Sequence, residues 1–145
     1  MAKFNVTKYC KTVDTSYYVL DVRNKVFCTE EDDLVLDFSN LEGWTFDTGR
    51  GCTFITGDEC TFNTGEYCTF NTSSDCTFTT GEWCTFSTLS GCTFKTGSSC
   101  VFSLYAIGSC KFKTYDNNSI ILDRLDNQRY VLTKKLMSML KVKNG

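Results

Sequence analysis

Between residues 44 and 102 apolar and polar positions alternate within short runs, and the runs themselves recur every eight residues. Cys52-Thr53-Phe54 opens a unit, and the same triplet returns at Cys60, Cys68, Cys76, Cys84 and Cys92, most units reading C-T-F-x-T-G-x-x. Alternation with a period of two marks extended backbone with one face buried. Positions one, three and five (Cys, Phe, Thr) therefore face inward, and positions two and four face outward. Gly at position six (Gly49, Gly57, Gly65, Gly81, Gly97) is expected to supply the positive backbone angle of a tight corner. Ser73 and Leu89 at the same position show that a corner also forms without it. Self-similarity at so short a period predicts an all-β fold, a β-solenoid of stacked short strands.

The register extends beyond the cysteines. One step back from Cys52 lies Trp44-Thr45-Phe46, and a second step gives Leu36-Asp37-Phe38. Forward, Cys100-Val101-Phe102 is in phase, and after two extra residues, Gly108 and Ser109, Cys110-Lys111-Phe112 resumes it. This predicts ten units over residues 36–117, with the core column made by Phe38, Phe46, Phe54, Phe62, Phe70, Phe78, Phe86, Phe94, Phe102 and Phe112. Eight residues make one side of a coil, so sixteen give a flattened two-sided coil and twenty-four a triangular one. Tyr67 and Trp83, sixteen residues apart at equivalent corners, favour two sides. A coil is stable only when neighbours cover it, so both ends need caps. Residues 1–35 read as a β cap, with strands in Tyr17–Leu20 and Lys25–Cys28 around a turn at Asp21–Asn24. Residues 118–145 read as a second cap, with Ser119–Arg124 pairing with Arg129–Leu132 and a short helix or strand in Lys134–Leu140.

A chain of 145 residues without Pro suits one elongated domain. It has no apolar run of membrane-spanning length, and Met1–Val6 lack the apolar stretch of a secretion signal, so the expectation is an intracellular protein without a membrane partner. Eight of the ten cysteines lie on the repeat. The reading preferred here is a buried, reduced thiol ladder; disulfides between adjacent inward cysteines and metal ligation stand beside it. Against a metal weigh the lack of any C-x-x-C and of any His. Without His, every nucleophile–His arrangement is excluded, and no phosphate-binding or dinucleotide fingerprint is present. A non-enzymatic protein without cofactor is expected.

Charge says more about partners. Residues 28–91 carry twelve Asp or Glu against one Arg, while residues 92–145 carry nine Lys or Arg against three Asp. The acidic run Glu30-Glu31-Asp32-Asp33 reads as a solvated loop. Asp58, Glu59, Glu66, Asp75 and Glu82 sit at corners, where stacking lines charges into rows. A row of carboxylates on a stiff rod imitates a phosphate backbone. Tyr67 and Trp83 follow Glu66 and Glu82 and are assigned to the same edge, as aromatic contact anchors. The outward Thr column (Thr45, Thr53, Thr61, Thr69, Thr77, Thr85, Thr93) suggests ice binding. The other outward column (Asp47, Ile55, Asn63, Asn71, Thr79, Ser87, Lys95) is too irregular to support it.

The C-T-F-x-T-G arrays followed by the strand-rich segment Ser119–Leu132 resemble small octapeptide-repeat proteins of tailed bacteriophages, over roughly residues 44–132. The resemblance implies a β-solenoid in a phage setting, hence the host cytoplasm or the virion. By analogy of fold, pentapeptide-repeat solenoids mimic DNA and inhibit nucleic-acid enzymes. The resulting expectation is a rod that engages a host protein through Asp58, Glu59, Glu66, Tyr67, Asp75, Glu82 and Trp83, as a nucleic-acid mimic that does not itself bind nucleic acid. The alternatives are a virion structural or accessory component and an ice-binding protein.

Overall fold

The computed structural model describes residues 4–39, 41–105, 107–113, 116 and 118–136. Its strands in chain order are β1 (Asn5–Lys8), β2 (Lys11–Thr12), β3 (Val19–Asp21), β4 (Val26–Cys28), β5 (Leu34–Phe38), β6 (Thr45–Asp47), β7 (Thr53–Thr56), β8 (Thr61–Asn63), β9 (Thr69–Asn71), β10 (Thr77–Thr79), β11 (Thr85–Ser87), β12 (Thr93–Lys95), β13 (Val101–Leu104), β14 (Lys111–Phe112), β15 (Ile120–Asp123) and β16 (Gln128–Val131). Consecutive strands of the array belong to opposite sheets, and each pairs in parallel with the strand two further on: Phe62 faces Phe78, and Phe78 faces Phe94. The coil is therefore two-sided with a sixteen-residue period, as the Tyr67/Trp83 spacing indicates. One sheet has nine strands and the other seven, and each includes six parallel rungs of a β-solenoid.

The core follows from the alternation. Cys52 through Cys100 and Phe46 through Phe102 are fully buried, and Thr48, Thr56, Thr64, Thr72, Thr88 and Thr96 are buried beside them. Within one sheet the Phe rings stack nearly parallel, 4.9 Å apart between Phe62 and Phe78 and also between Phe70 and Phe86. Across the coil they meet edge to face, as Phe70 and Phe78 do at 5.0 Å and 76°. Both geometries are favoured by the ring quadrupole, and the rung spacing of about 4.8 Å imposes the first of them.

The register at the N-terminal end differs from the expectation. Leu36, not Phe38, occupies the Phe column, because it pairs with Phe54 while Phe38 pairs with Thr56. Two additional residues between Phe38 and Leu41 absorb the shift, so counting back in eights lands on the wrong member of an alternating pair. Stacking also begins earlier than residue 36: Phe27 pairs in parallel with Phe46, although β4 lies in the segment read as cap. At the other end Ile121 continues the column on Phe102, past residue 117.

Antiparallel strands terminate the array. β3 pairs with β4, β1 with β5, and β16 with β15, so the β3–β4 and β15–β16 hairpins expected from the alternation are both present. Reversing direction ends the parallel ladder, and the two-residue outer strand β2 leaves little edge for another chain to extend. Ile107–Ser109 forms a 3-10 turn that takes up the extra residues before β14. Of the stretch Lys134–Leu140, Lys134 to Leu136 are helical and the remainder lies outside the described residues.

Candidate functional site

The coil has two faces and two edges, and the edges differ. Corners running from the seven-stranded to the nine-stranded sheet carry Gly49, Gly65, Gly81 and Gly97 at position six; these form the glycine edge. Corners of the opposite sense carry Leu41, Gly57, Ser73, Leu89 and Tyr105 and form the leucine edge. On the glycine edge the chain approaches itself closely, leaving a Cβ tight at Gly65 and Gly81 and in clash at Gly49 and Gly97. A Cβ on Gly97 would lie 2.6 Å from the Glu82 nitrogen and 2.8 Å from the Gly81 carbonyl carbon. Backbone bonds link the column, Gly65 N–H to Gly49 at 3.3 Å and Gly97 N–H to Gly81 at 3.1 Å.

The positive backbone angle expected at position six falls at position eight instead. Glu59, Tyr67, Asp75, Trp83 and Ser99 have φ of 60–61°, with Gly51 and Gly91 at 68° and 75° in the equivalent places. The glycines at position six thus serve close approach, and the left-handed residue is the one that re-enters the next strand. Left-handed backbone costs a side-chain-bearing residue about 1–2 kcal/mol.

This geometry divides the expected site. Glu66, Tyr67, Glu82 and Trp83 lie on the glycine edge, whereas Asp58, Glu59 and Asp75 lie on the leucine edge, across the coil. The single acidic, aromatic edge is corrected accordingly: eight residues are half a coil, so corners eight apart alternate between edges. Backbone bonds from Tyr67 N–H to Glu82 and from Glu59 N–H to Ser74, each 3.0 Å, record the two separate columns.

On the glycine edge Tyr67 and Trp83 stack on each other with centroids 6.5 Å apart and planes 6° from parallel. They remain 55% and 52% exposed. The carboxylates around them are engaged: Arg50 donates to Glu66 at 3.1 Å, and the Ser98 hydroxyl donates to Glu82 at 3.3 Å. The run Glu30–Asp33 is no free loop either. Lys8 pairs with Glu31 at 2.9 Å, Asp32 accepts from the Arg50 N–H at 2.9 Å, and Asp33 accepts from the Tyr9 hydroxyl at 3.2 Å. These acids tie the N-terminal cap to the first coil.

The leucine edge holds Glu42, Asp58, Glu59 and Asp75 on three successive rungs, then an apolar column that the alternation of inward and outward positions does not reveal. Leu89, Tyr105 and Leu125 follow one another there, 43%, 50% and 61% exposed. The Leu125 N–H donates to Tyr105 at 2.9 Å. The sixteen-residue spacing of Leu89 and Tyr105 was the available signal; Leu125 escapes it because it follows Tyr105 by twenty residues, four more than the period.

A thiol column runs beneath each edge, Cys52, Cys68, Cys84 and Cys100 beneath the glycine edge and Cys60, Cys76 and Cys92 beneath the other. All seven are buried free thiols. Each donates to corner carbonyls, as Cys68 does to Gly49 and Glu66, both at 3.7 Å. The thiol is a donor small enough for carbonyls that the corner geometry leaves inside. In-register parallel neighbours also point their Cβ atoms the same way at about the rung spacing of 4.8 Å, beyond the usual 3.5–4.5 Å of a disulfide. Contacts with neighbouring thiols, then burial, push Cys52 and Cys76 well above the ordinary thiol range, and contacts of the same kind hold Cys60, Cys92 and Cys100 down at about 7. Burial does the same at Cys110.

The Thr column is likewise split, Thr45, Thr61, Thr77 and Thr93 on one face and Thr53, Thr69 and Thr85 on the other. No group of three or more metal-ligating side chains converges among the described residues, and none of their helices is long and apolar enough to cross a membrane. The chain matches no protein-family model, no curated protein and no solved structure.

Proposed function

We propose that the chain is a non-enzymatic β-solenoid binding protein of phage type that captures a host protein through the Tyr67–Trp83 stack on its glycine edge. One observation carries this reading. Tyr67 and Trp83 stand in left-handed positions where Gly51 stands one rung earlier, so two large exposed rings occupy places where glycine is the least costly residue. Stability is given up there for two rings that stack on each other and stay about half exposed, the usual mark of a contact anchor.

The division of the acids changes the role of charge. Four carboxylates on three rungs of the leucine edge span about 10–14 Å, comparable to three or four phosphates of a single strand at 3.4 Å each. A patch that short steers a basic partner without reproducing a groove-length stretch of nucleic acid. The aromatic stack therefore supplies the affinity and the carboxylates the rate of encounter.

The test is affinity capture from bacterial lysate at low and moderate salt, with captured proteins read by mass spectrometry. Tyr67→Ala with Trp83→Ala is expected to lose the partner while circular dichroism is unchanged. Asp58→Asn, Glu59→Gln and Asp75→Asn together are expected to retain it and to flatten its salt dependence. Undiminished capture by the aromatic variant would overturn the assignment.

A further inference from the structure

We propose that the two buried thiol columns bind a soft monovalent cation of the Cu(I) class, each ion held in straight two-coordinate geometry between the sulfurs of two consecutive rungs. Beneath the glycine edge the sites lie between Cys52 and Cys68 and between Cys84 and Cys100. Beneath the leucine edge one site lies between Cys76 and either Cys60 or Cys92. None involves Tyr67 or Trp83, so this assignment and the capture of a partner by the aromatic stack can fail separately.

The sulfurs repeat with the rungs because each is held in the same way. Cys52, Cys68, Cys84 and Cys100 each donate to the carbonyl two residues before them, at 3.7 Å in every case. Each also donates to a carbonyl of the preceding coil, at 3.7 or 3.8 Å. The Phe rings two residues on share this register and repeat at 5.1 Å from Phe54 to Phe70 and 4.9 Å from Phe70 to Phe86 and from Phe86 to Phe102. Consecutive sulfurs therefore stand about one strand spacing apart, about 4.8 Å. That is too wide for a disulfide, whose Cβ atoms lie about 3.5–4.5 Å apart. Two bonds of zinc–thiolate length, about 2.3 Å each, laid end to end span about 4.6 Å, which a slight tilt of each Cys side chain matches.

The donor set selects the ion. Structural zinc and iron–sulfur centres need four converging ligands, and no three converge among the described residues. Thiolates favour Cu(I), which accepts two collinear sulfurs. One sulfur cannot serve two ions along its column, because that demands a straight metal–sulfur–metal angle at an atom whose lone pairs are tetrahedral. The four-sulfur column thus holds two ions and the three-sulfur column one. Binding exchanges charge for charge: one thiol of a pair releases its proton and bonds the cation as thiolate, while the other donates a lone pair and keeps its proton. No net charge enters the core. The carbonyls that lose a thiol donor are not orphaned, since Gly49 and Glu66, which face Cys68, also accept the N–H groups of Gly65 and Gly51 at 3.3 and 2.9 Å. Each of Cys68 and Cys84 directly follows an exposed corner residue, Tyr67 or Trp83, so local opening of a corner admits the ion.

Silver(I), which shares the preference for two collinear sulfurs and is inert to oxidation by air, is the probe. It is titrated into the full chain carrying Cys10→Ser, Cys28→Ser and Cys110→Ser, which leaves only the seven buried thiols. Equilibrium dialysis with elemental analysis is expected to find three ions per chain, with circular dichroism unchanged. Losses should come in pairs of sulfurs: Cys76→Ser lowers the count to two, and Cys68→Ser with Cys84→Ser lowers it to one. Zn(II) should not compete. X-ray absorption of the unsubstituted protein loaded with Cu(I) depends on no variant and should show two sulfur neighbours. A count of seven that falls by one for each cysteine removed would overturn the proposal. So would a folded protein that retains no silver, binding that occurs only with loss of the β-sheet signal, or three or more sulfur neighbours.

Discussion

The glycine edge and the leucine edge are turned by the same octapeptide, share the left-handed residue at position eight and each lie above a thiol column, yet they behave as different materials. On the glycine edge successive rungs come so close that a side chain at position six would be tight at Gly65 and Gly81 and would clash at Gly49 and Gly97, and the exposed chemistry is displaced to position eight, where Tyr67 and Trp83 stack. On the leucine edge position six is open, and Leu41, Ser73, Leu89 and Tyr105 use it. The difference shows that an eight-residue repeat in a sixteen-residue coil is two interleaved repeats. Each edge can therefore carry its own chemistry even though the local sequence motif is one.

High pH probes what the edges have in common. Unfolded thiols ionise above about pH 8.5, while Cys52 and Cys76, one beneath each edge, are pushed well above that in the fold. A raised thiol contributes stability that is fully present below the unfolded pKa and is lost as pH rises. By pH 10 Cys52 is expected to forfeit about 2 kcal/mol, while Cys60, Cys92 and Cys100, held down at about 7 by the same thiol contacts, gain stability as pH rises, so each variant is compared with the parent protein. Urea denaturation from pH 7 to 10 checks this. Cys52→Val and Cys76→Val should each remove a similar part of the slope, and an effect confined to one variant would mean that the two columns differ.

Position six breaks the comparison most directly. Gly97→Ala forces a Cβ against the Glu82 and Gly81 backbone and is expected to cost about 2–4 kcal/mol, within the range of overpacking and backbone strain. Leu89→Gly should cost about 1 kcal/mol or less, because the side chain is already nearly half exposed and Thr88 gains the geometry of its bonded counterparts. Equal losses at the two sites would refute the distinction between the edges.

The inward Thr column sharpens it further. Thr64→Val removes a hydroxyl that donates to Gly65 and should destabilise by about 1 kcal/mol; Thr72→Val removes an unpartnered hydroxyl and should stabilise by about as much. The smallest effect is at position eight. Glu59→Gly should stabilise by about 0.5–1 kcal/mol through relief of the left-handed strain, net of glycine's entropy. Trp83→Gly should be closer to neutral, because the ring contact with Tyr67 offsets the same relief. Both are read from urea midpoints.

Much of the fold was legible in the sequence because a solenoid makes its long-range contacts at a constant sequence separation. The inward face of Cys, Phe and Thr, the two-sided coil read from Tyr67 and Trp83, and the two terminal hairpins all follow from periods of two, eight and sixteen. The candidate site was legible in its members but not in its grouping. Asp58, Glu59 and Asp75 were joined to Glu66 and Trp83 by a period of eight, which is right for the core and wrong for the edges.

By itself the sequence determined the period, the buried columns and the residues that must reach solvent, since alternation and volume act locally. Only the tertiary structure decided which corner residue takes the left-handed angle, where Leu36 and not Phe38 joins the core, and which acids are neutralised. Those outcomes depend on how backbone in one rung meets backbone sixteen or more residues away. The glycine at position six answers to a carbonyl in the neighbouring coil, and nothing within its own octapeptide reveals that constraint.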